Sequence, residues 1–163
     1  QLPLSWLQAL RPGLPIGVRA AGREAAATIP ALIPAAVEEM LRFEAPVHFI
    51  GRIATAETVL GDRTIAKGDV VLAFLASAGR DGEQFGAPDT FDIDRSPNRH
   101  VSFGNGPHLC SGLQLARMEA RIAFETLLET FCDIRLAPGA LTYGPNLNLR
   151  SFAALPIEVT RRS

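Results

Sequence analysis

Several features that mark common protein classes are scarce or absent in this chain. Its 163 residues include two cysteines, which do not form a Cys-x-x-Cys pair; this argues against a disulfide framework and favours a reducing cytoplasm. No apolar run approaches the ~18 residues of a membrane-spanning helix, and the first residues lack the features of a signal peptide. The net charge of −1 and the lack of a lysine and arginine run give no reason to expect a nucleic acid or a membrane as a partner.

What remains is the composition of an ordinary globular domain. Hydrophobic residues make up 47% of the chain and charged residues 20%, and 163 residues are enough to bury a core. Because these values suit enzymes and binding proteins alike, the function has to be inferred from local motifs.

The most informative stretch is FGNGPHLCSG, residues 103–112, which we call the cysteine loop. Cys110 follows a turn rich in Gly and Pro and opens a long apolar-periodic segment, so its sulfur is expected at a helix N-terminus. Free N–H groups and the helix dipole there stabilise a thiolate, which can ligate a metal or attack a carbon. Gly104, Gly106 and Gly112 remove side chains, so the backbone can lie against a large flat surface such as a porphyrin.

Other interpretations of this loop are weaker. A lone cysteine is often only a small buried hydrophobe. A dinucleotide-binding loop would need its third glycine where Leu109 stands. Zinc is poorly supported because His108, Cys110, His100 and Cys132 lack paired ligand spacing. A Cys–His nucleophile would place its base two residues before the sulfur in a tight turn, which is awkward.

The loop matches the pattern F-G-x-G-x-H-x-C-x-G at all six specified positions: Phe103, Gly104, Gly106, His108, Cys110 and Gly112. It therefore resembles the cysteine-ligand loop of the cytochrome P450 family, the haem-thiolate monooxygenases. The resemblance implies that Cys110 is the axial ligand of the iron in haem b, and that Phe103, Gly104 and Gly112 belong to the cofactor site with Phe103 beside the sulfur. An anionic sulfur donates electron density to iron and favours O–O cleavage.

A second part of the resemblance lies in a predicted helix upstream. Residues 33–43 place apolar side chains on one face and Pro34 in the first turn. Glu39 and Arg42, at i and i+3, are neighbours on this helix, and in isolation such a pair is usually solvated and weak. They stand at the family's E-x-x-R position, so the resemblance implies a structural triad with a third arginine, which we assign to Arg95.

The segment that follows predicts short strands separated by Gly-Asp and Lys-Gly turns, at residues 47–55, Thr58–Leu60, Arg63–Ile65 and 69–74. Arg52 lies in the first of them and, taken alone, is as easily a surface arginine as a functional one. The resemblance makes Arg52 and His108 the partners of the haem propionates, where they would orient the porphyrin.

Residues 75–102 have little periodicity and many helix breakers. They resemble the family's N-R-D-P and F-x-x-P-x-x-F-D-x-x-R run, except that Gly79 replaces the usual Asn and Gly82 the usual Pro, which we expect to loosen this turn. A loop of this length normally has a reason, and docking of Arg95 onto the predicted helix supplies one.

The strongest helical pattern follows the cysteine loop. Apolar side chains recur every three or four residues, at Leu113, Ala116, Ala120, Ala123, Phe124, Leu127, Leu128 and Phe131. The charged residues, Arg117 among them, stay off that face, which is ordinary core patterning. Cys132 is expected to be a core residue, and residues 134–160 predict strands and turns.

Together these predictions give a mainly helical α+β fold, the C-terminal haem-binding portion of a cytochrome P450. We expect residues 1–163 to form a single unit, in which residues 32–163 carry the resemblance and residues 1–31 match nothing in the family. Pro30 and the earlier prolines should break any long helix in that first segment, apart from a short one at residues 20–28. A frame change, a truncation and a genuine replacement are all open for it.

The resemblance implies a monooxygenase that takes electrons from a ferredoxin or a flavoprotein and inserts one oxygen atom of dioxygen into a small organic substrate. Because members of the family are more than twice as long, we expect a truncated form whose exposed apolar half-pocket favours self-association. The alternative is a catalytically incompetent haem-binding fragment that lacks the distal oxygen-activating helix. A chain that binds no haem is disfavoured because the loop, the E-x-x-R pair and Arg95 are all retained.

Overall fold

The computed structural model describes residues 22–139 and 141–162, with side chains from residue 31 onward. In chain order its elements are α1 (Gly22–Phe43), β1 (Phe49–Ile53), β2 (Thr58–Leu60), β3 (Arg63–Ile65), β4 (Val70–Phe74), α2 (Leu75–Ala78), a 3₁₀ turn (Gly106–His108), α3 (Leu113–Thr130), β5 (Phe131–Leu136) and β6 (Ile157–Arg161). This mixture confirms the predicted α+β class. Our expectations for residues 1–21 lie outside the described part of the chain.

Helix α1 is longer than the sequence predicted. We expected a helix over residues 33–43 with Pro34 in its first turn and Pro30 outside it, but α1 begins at Gly22 and continues through both prolines. A proline lacks the N–H that a helix interior uses, so local pattern favoured a break. Beyond Pro30 the helix buries a full apolar face, and this tertiary burial outweighs the local cost.

All four strands predicted between residues 47 and 74 are present, and the first and last are slightly shorter than expected. In the part of the chain that is described, the strands form three two-stranded antiparallel sheets, β1 with β4, β2 with β3 and β5 with β6. Within the first sheet Arg52 pairs with Val71. Since successive side chains point to opposite faces, Ile50 and Arg52 share one face of β1.

The core lies between α1 and α3. Its buried members are Ile33, Ala36, Val37, Met40 and Leu41 of α1, Ala120, Phe124 and Leu128 of α3, together with Ile93 and Ile134. The apolar face that the sequence predicted for α3 is thus the face that packs. No helix in residues 22–139 or 141–162 combines the length and the hydropathy needed to cross a membrane.

The end of α3 differs from the prediction by one residue. Phe131, expected on the helix, begins β5, and Cys132 follows it in the strand. Cys132 is half-buried rather than a core residue, and its thiol donates to the carbonyl of Thr160 at 3.4 Å across the β5 and β6 pair.

Gly79 makes a close contact that the sequence did not predict. It lies so close to α1 that an added Cβ atom would overlap the carbonyl oxygen of Arg42, whereas a Cβ atom on Gly82 would meet open space. The glycine at position 79 therefore permits a tight contact between the irregular segment and the end of α1.

Candidate functional site

One cavity of about 390 Å³ opens between the end of α1, strand β1, the cysteine loop and the start of α3. Its apolar wall comes from Leu41, Pro46, Val47, Ile50, Leu75, Ala116 and Ala120. The rest of its lining comes from Arg52, Ser102, Phe103, Gly104, His108 and Cys110. A mainly apolar cavity with a few convergent polar groups is the usual form of a cofactor site.

The cysteine loop is closed by backbone hydrogen bonds. The N–H of Cys110 donates to the carbonyl of Phe103 at 2.9 Å, and the N–H of Gly104 donates to the carbonyl of Val101 at 2.7 Å. Gly104 and Gly106 have φ angles of 76° and 70°. A side chain at either position would be strained, so the glycines of the motif are required by the turn itself.

Cys110 lies at the amino end of α3, as the sequence predicted. The N–H of Leu113, the first residue of α3, donates to the carbonyl of Cys110 at 3.3 Å. The Cys110 thiol is exposed and faces the cavity. Gly112 is the residue before the helix, and a Cβ atom on it would lie 3.9 Å from the sulfur. The thiol therefore has a free approach from the cavity side.

Of the six cofactor-binding residues predicted, five line the cavity: Phe103, Gly104, His108, Cys110 and Arg52. Gly112 is not among the lining residues, and it caps α3 instead. Arg52 is exposed, with its Nη1 donating to the carbonyl of Gly51 at 2.8 Å. Arg52 and His108, which are distant in sequence, are thus brought to one cavity with the cysteine.

The structure brings Glu39, Arg42 and Arg95 together. The Nε and Nη2 atoms of Arg42 each donate at 2.7 Å to the carboxylate of Glu39, and Nε of Arg95 donates to the same carboxylate at 3.2 Å. The side chains of Glu39 and Arg42 are 0% exposed and that of Arg95 is 9% exposed. None of the three lines the cavity.

Two further donors to Glu39 were not predicted. The backbone N–H of Asp92 and the side-chain amide of Asn98 reach its carboxylate at 2.8 and 3.0 Å. Burial alone would raise the pKa of Glu39, but the hydrogen bonds and the charge of Arg42 outweigh it and lower that pKa. Asn98 lies three residues after Arg95, where the family pattern ends, and an asparagine there does not by itself indicate this contact.

A second cluster was missed by the sequence interpretation, which placed Arg117 on the solvent side of α3. Arg117 donates to Glu38 of α1 through Nε at 2.6 Å and Nη2 at 2.8 Å. Nε2 of His100 lies 3.0 Å from the same carboxylate. Burial would raise the pKa of Glu38, but the hydrogen bonds from Arg117 and His100 prevail and lower it to about 2. Glu38, His100 and Arg117 lie on three separate segments, so no local sequence pattern indicates that they meet.

The side chains around Cys110 suit a haem iron better than a zinc ion. Among the described residues no group of three or more His, Cys, Asp and Glu side chains could hold a metal ion. Zinc sites use three or four such ligands, whereas haem iron takes four nitrogens from the porphyrin and needs one axial side chain. A single thiol beside an apolar cavity fits the second case.

Two bacterial proteins are similar in sequence to this chain over most of its length. Cytochrome P450 CYP107DY1 of Priestia megaterium is 46% identical over 130 residues, which are 78% of this chain and 32% of that protein. The biotin biosynthesis cytochrome P450 of Bacillus subtilis is 44% identical over 128 residues, again 78% of this chain and 32% of that protein. The chain thus spans about a third of the length of these curated relatives.

Solved structures share the fold. P450BioI, crystallised in complex with an acyl carrier protein ligated to hexadec-9Z-enoic acid, superposes with a TM-score of 0.77 at 43% identity, over 80% of this chain and 34% of that one. CYP109Q5 from Chondromyces apiculatus superposes with a TM-score of 0.79 at 40% identity, over 86% and 36% of the two chains. With the cysteine loop and a cytochrome P450 family model that matches residues 27–136, these similarities show that the chain belongs to the cytochrome P450 family.

Proposed function

We propose that this chain forms the haem-binding part of a haem-thiolate monooxygenase, with haem b held in the cavity and Cys110 as the protein ligand of its iron. The observation that carries the proposal is the meeting of an exposed thiol, an apolar wall and two cationic or donor side chains, Arg52 and His108, in one cavity. Phe103 and Gly104 complete the wall beside the thiol, and Gly112 orients the start of α3.

Each of these residues has a distinct part in binding. Arg52 and His108 pair with the propionates and set the orientation of the ring. Leu41, Ile50 and Ala120 would supply apolar contacts to a ring bound in the cavity. Haem bound through a cysteine thiolate supplies the chemistry of the family, activation of dioxygen and transfer of one oxygen atom to an organic substrate.

The partners follow from this activity. The monooxygenase receives its electrons from a ferredoxin or a flavoprotein and acts on a small organic substrate. It works in the cytoplasm, where both of its cysteines stay reduced. Residues 32–163 act as one haem-binding unit, because one core joins α1, Ile93, α3 and β5.

A second candidate function is haem binding without coupled oxygenation. It is favoured by the exposure of Cys110, Arg52 and His108, since an iron held there by this chain alone is open to bulk water. The two candidates share the ligand and the cofactor, and they differ in whether oxygen transfer is coupled to electron consumption.

The test of the proposed ligand is spectroscopic. The protein is loaded with haem, reduced and treated with carbon monoxide, as the parent and as the Cys110→Ser and Cys132→Ser variants. The parent and Cys132→Ser should give a thiolate-type Soret band, and Cys110→Ser should lose it, because Cys132 is engaged with the Thr160 carbonyl in the strand pair. Equal spectra from the two variants would mean that Cys110 is not the ligand.

A further inference from the structure

The cluster of Glu38, His100 and Arg117 joins three separate segments of the chain. Glu38 lies on α1, Arg117 on α3, and His100 just ahead of the cysteine loop. Arg117 binds the Glu38 carboxylate through two nitrogens, at 2.6 and 2.8 Å, which is the forked geometry that fixes a guanidinium in one plane. The cluster therefore fixes the amino end of the loop relative to both core helices.

His100 uses both ring nitrogens. Its Nδ1 accepts from the backbone N–H of Ser102 at 3.3 Å, so the proton is on Nε2, which donates to Glu38 at 3.0 Å. The His100 side chain is 2% exposed. The hydroxyl of Ser102 in turn donates to the carbonyl of Leu41 at 2.6 Å. The backbone that leads into the cysteine loop is thus held at residue 102 from two sides.

Phe103 connects the cluster to the cysteine. The guanidinium carbon of Arg117 lies 4.7 Å from the centre of the Phe103 ring, within cation–π range, and the His100 ring centre lies 6.2 Å from it. Phe103 lines the cavity, and its carbonyl accepts the hydrogen bond of the Cys110 N–H at 2.9 Å. A displacement of Phe103 therefore displaces the backbone of Cys110 as well.

We propose that Glu38, His100 and Arg117 form a positioning cluster that holds Phe103, and through it Cys110, in the geometry needed for ligation. They are positioning residues and touch neither the ligand sulfur nor the cavity space themselves. This proposal rests on the proposed function, because the geometry of Cys110 matters for ligation only if Cys110 is the iron ligand.

Helix α3 offers a matched control. Arg121, one turn after Arg117, also forms an ion pair, with Nε 2.7 Å from Glu125, but that pair lies on the helix surface. Arg117→Met and Arg121→Met remove the same charge and the same kind of contact from the same helix. Only the first removes a contact to Phe103 and to Glu38.

The first measurement uses the full chain without haem. Amide hydrogen exchange of residues 103–112 should be faster in Arg117→Met by ~2- to 5-fold, the factor that a cation–π contact corresponds to, with the rest of α3 unchanged. Glu38→Gln, which keeps the shape of the side chain, should act in the same direction, and it replaces Arg117→Met as the test variant should the latter fail to fold. Arg121→Met should match the parent.

The second measurement uses the haem-loaded chain at equal haem content. Arg117→Met should lose part of the thiolate-type carbon monoxide band relative to the parent. In a Phe103→Leu background this loss should disappear, so that the Phe103→Leu protein and the Phe103→Leu, Arg117→Met double variant give the same band. Parent-like exchange and spectra in Arg117→Met and Glu38→Gln would overturn the proposal, as would an undiminished loss in the Phe103→Leu background. A parent without any thiolate-type band would refute the proposed function instead, while the exchange rates would still decide whether the cluster holds the loop.

Discussion

The two arginine clusters show what burial does to a charged side chain. Arg42 donates to both oxygens of Glu39 and to the carbonyls of Gly79, Pro88 and Thr90, at distances of 2.6 to 3.0 Å. All of these acceptors bind a guanidinium that is fully excluded from water. A buried pair of this kind contributes little when intact compared with a hydrophobic pair, but it is costly to break.

Replacing Arg42 by leucine should therefore destabilise the protein strongly. Arg42→Leu leaves the Glu39 carboxylate buried with one arginine fewer and removes the guanidinium donor from three carbonyls, of which that of Thr90 keeps its bond from Arg95. The expected loss is roughly 3 to 5 kcal/mol in the free energy of unfolding. Urea unfolding measures it, and the triad would have no structural role if the variant kept the parent's midpoint.

The control is Arg121→Leu, which removes an exposed ion pair of similar length. Its cost should be within about 1 kcal/mol, the range of surface pairs. A soluble Arg42→Leu protein with full haem content and the stability of Arg121→Leu would show that the network is misassigned.

The pH dependence of stability should report on Glu38. Its pKa is lowered from 4.5 to about 2 in the folded protein, so its stabilising contribution is fully present above pH 4.5 and is lost as the pH falls toward 2. Glu38→Gln should flatten the decline of unfolding free energy between pH 4.5 and 3, measured in urea. An unchanged slope in Glu38→Gln would contradict the assignment.

At the scale of elements, the irregular segment before the cysteine loop is held by arginine side chains that donate to backbone carbonyls. Arg80 donates to the carbonyl of Phe43 at the end of α1 through Nε and Nη2, at 2.9 and 2.8 Å. Arg95 donates to the carbonyls of Gly86, Ala87 and Thr90. Side-chain donors thus replace the backbone ladder that a helix or a strand would provide.

The close contact at Gly79 gives a test at this scale. Gly79→Ala inserts a methyl group against the Arg42 carbonyl, and the shift that follows disturbs the guanidinium contacts, so the free energy of unfolding should fall by about 1 to 3 kcal/mol. Gly82→Ala, in the same segment but facing open space, should stay within about 0.5 kcal/mol of the parent. Equal urea midpoints for the two variants would show that the segment yields without cost.

On the scale of the whole molecule, the described chain leaves large apolar surfaces in contact with solvent. Ile53, Val70, Leu72 and Phe74 are exposed on the face of the β1 and β4 sheet opposite to Arg52, and the cysteine side of the cavity is open. Exposed apolar faces of this kind favour association with another surface. An assay of what the chain does alone therefore has to use monomeric protein.

The 163-residue chain should bind haem yet fail to couple oxygen transfer to electron consumption. Cys110, Arg52 and His108 are the residues proposed to bind haem, but all three are exposed, and selective oxygenation needs a reaction space closed to bulk water. Monomeric, haem-loaded protein is supplied with a ferredoxin and its reductase, and product is compared with reducing equivalents consumed across a panel of substrates. Tight coupling with any substrate would refute this prediction and favour the full monooxygenase activity.

The sequence by itself determined the family, the cysteine loop and the class of fold. Six specified positions within ten residues, together with an i,i+3 pair, depend only on local spacing, and local spacing is what a sequence states directly. The strands between residues 47 and 74 were also predictable, because Gly-Asp and Lys-Gly turns separate them. The packing face of α3 was predictable from its period of about 3.6 residues.

Only the tertiary structure decided which distant residues meet. Arg117 and Glu38 are 79 residues apart and His100 and Glu38 are 62 apart, so no local period relates them. The passage of α1 through Pro30 and Pro34 likewise depends on the core against which the helix packs. Long-range burial overrides local preference in each case, because the free energy of excluding apolar and paired charged groups from water exceeds the local cost.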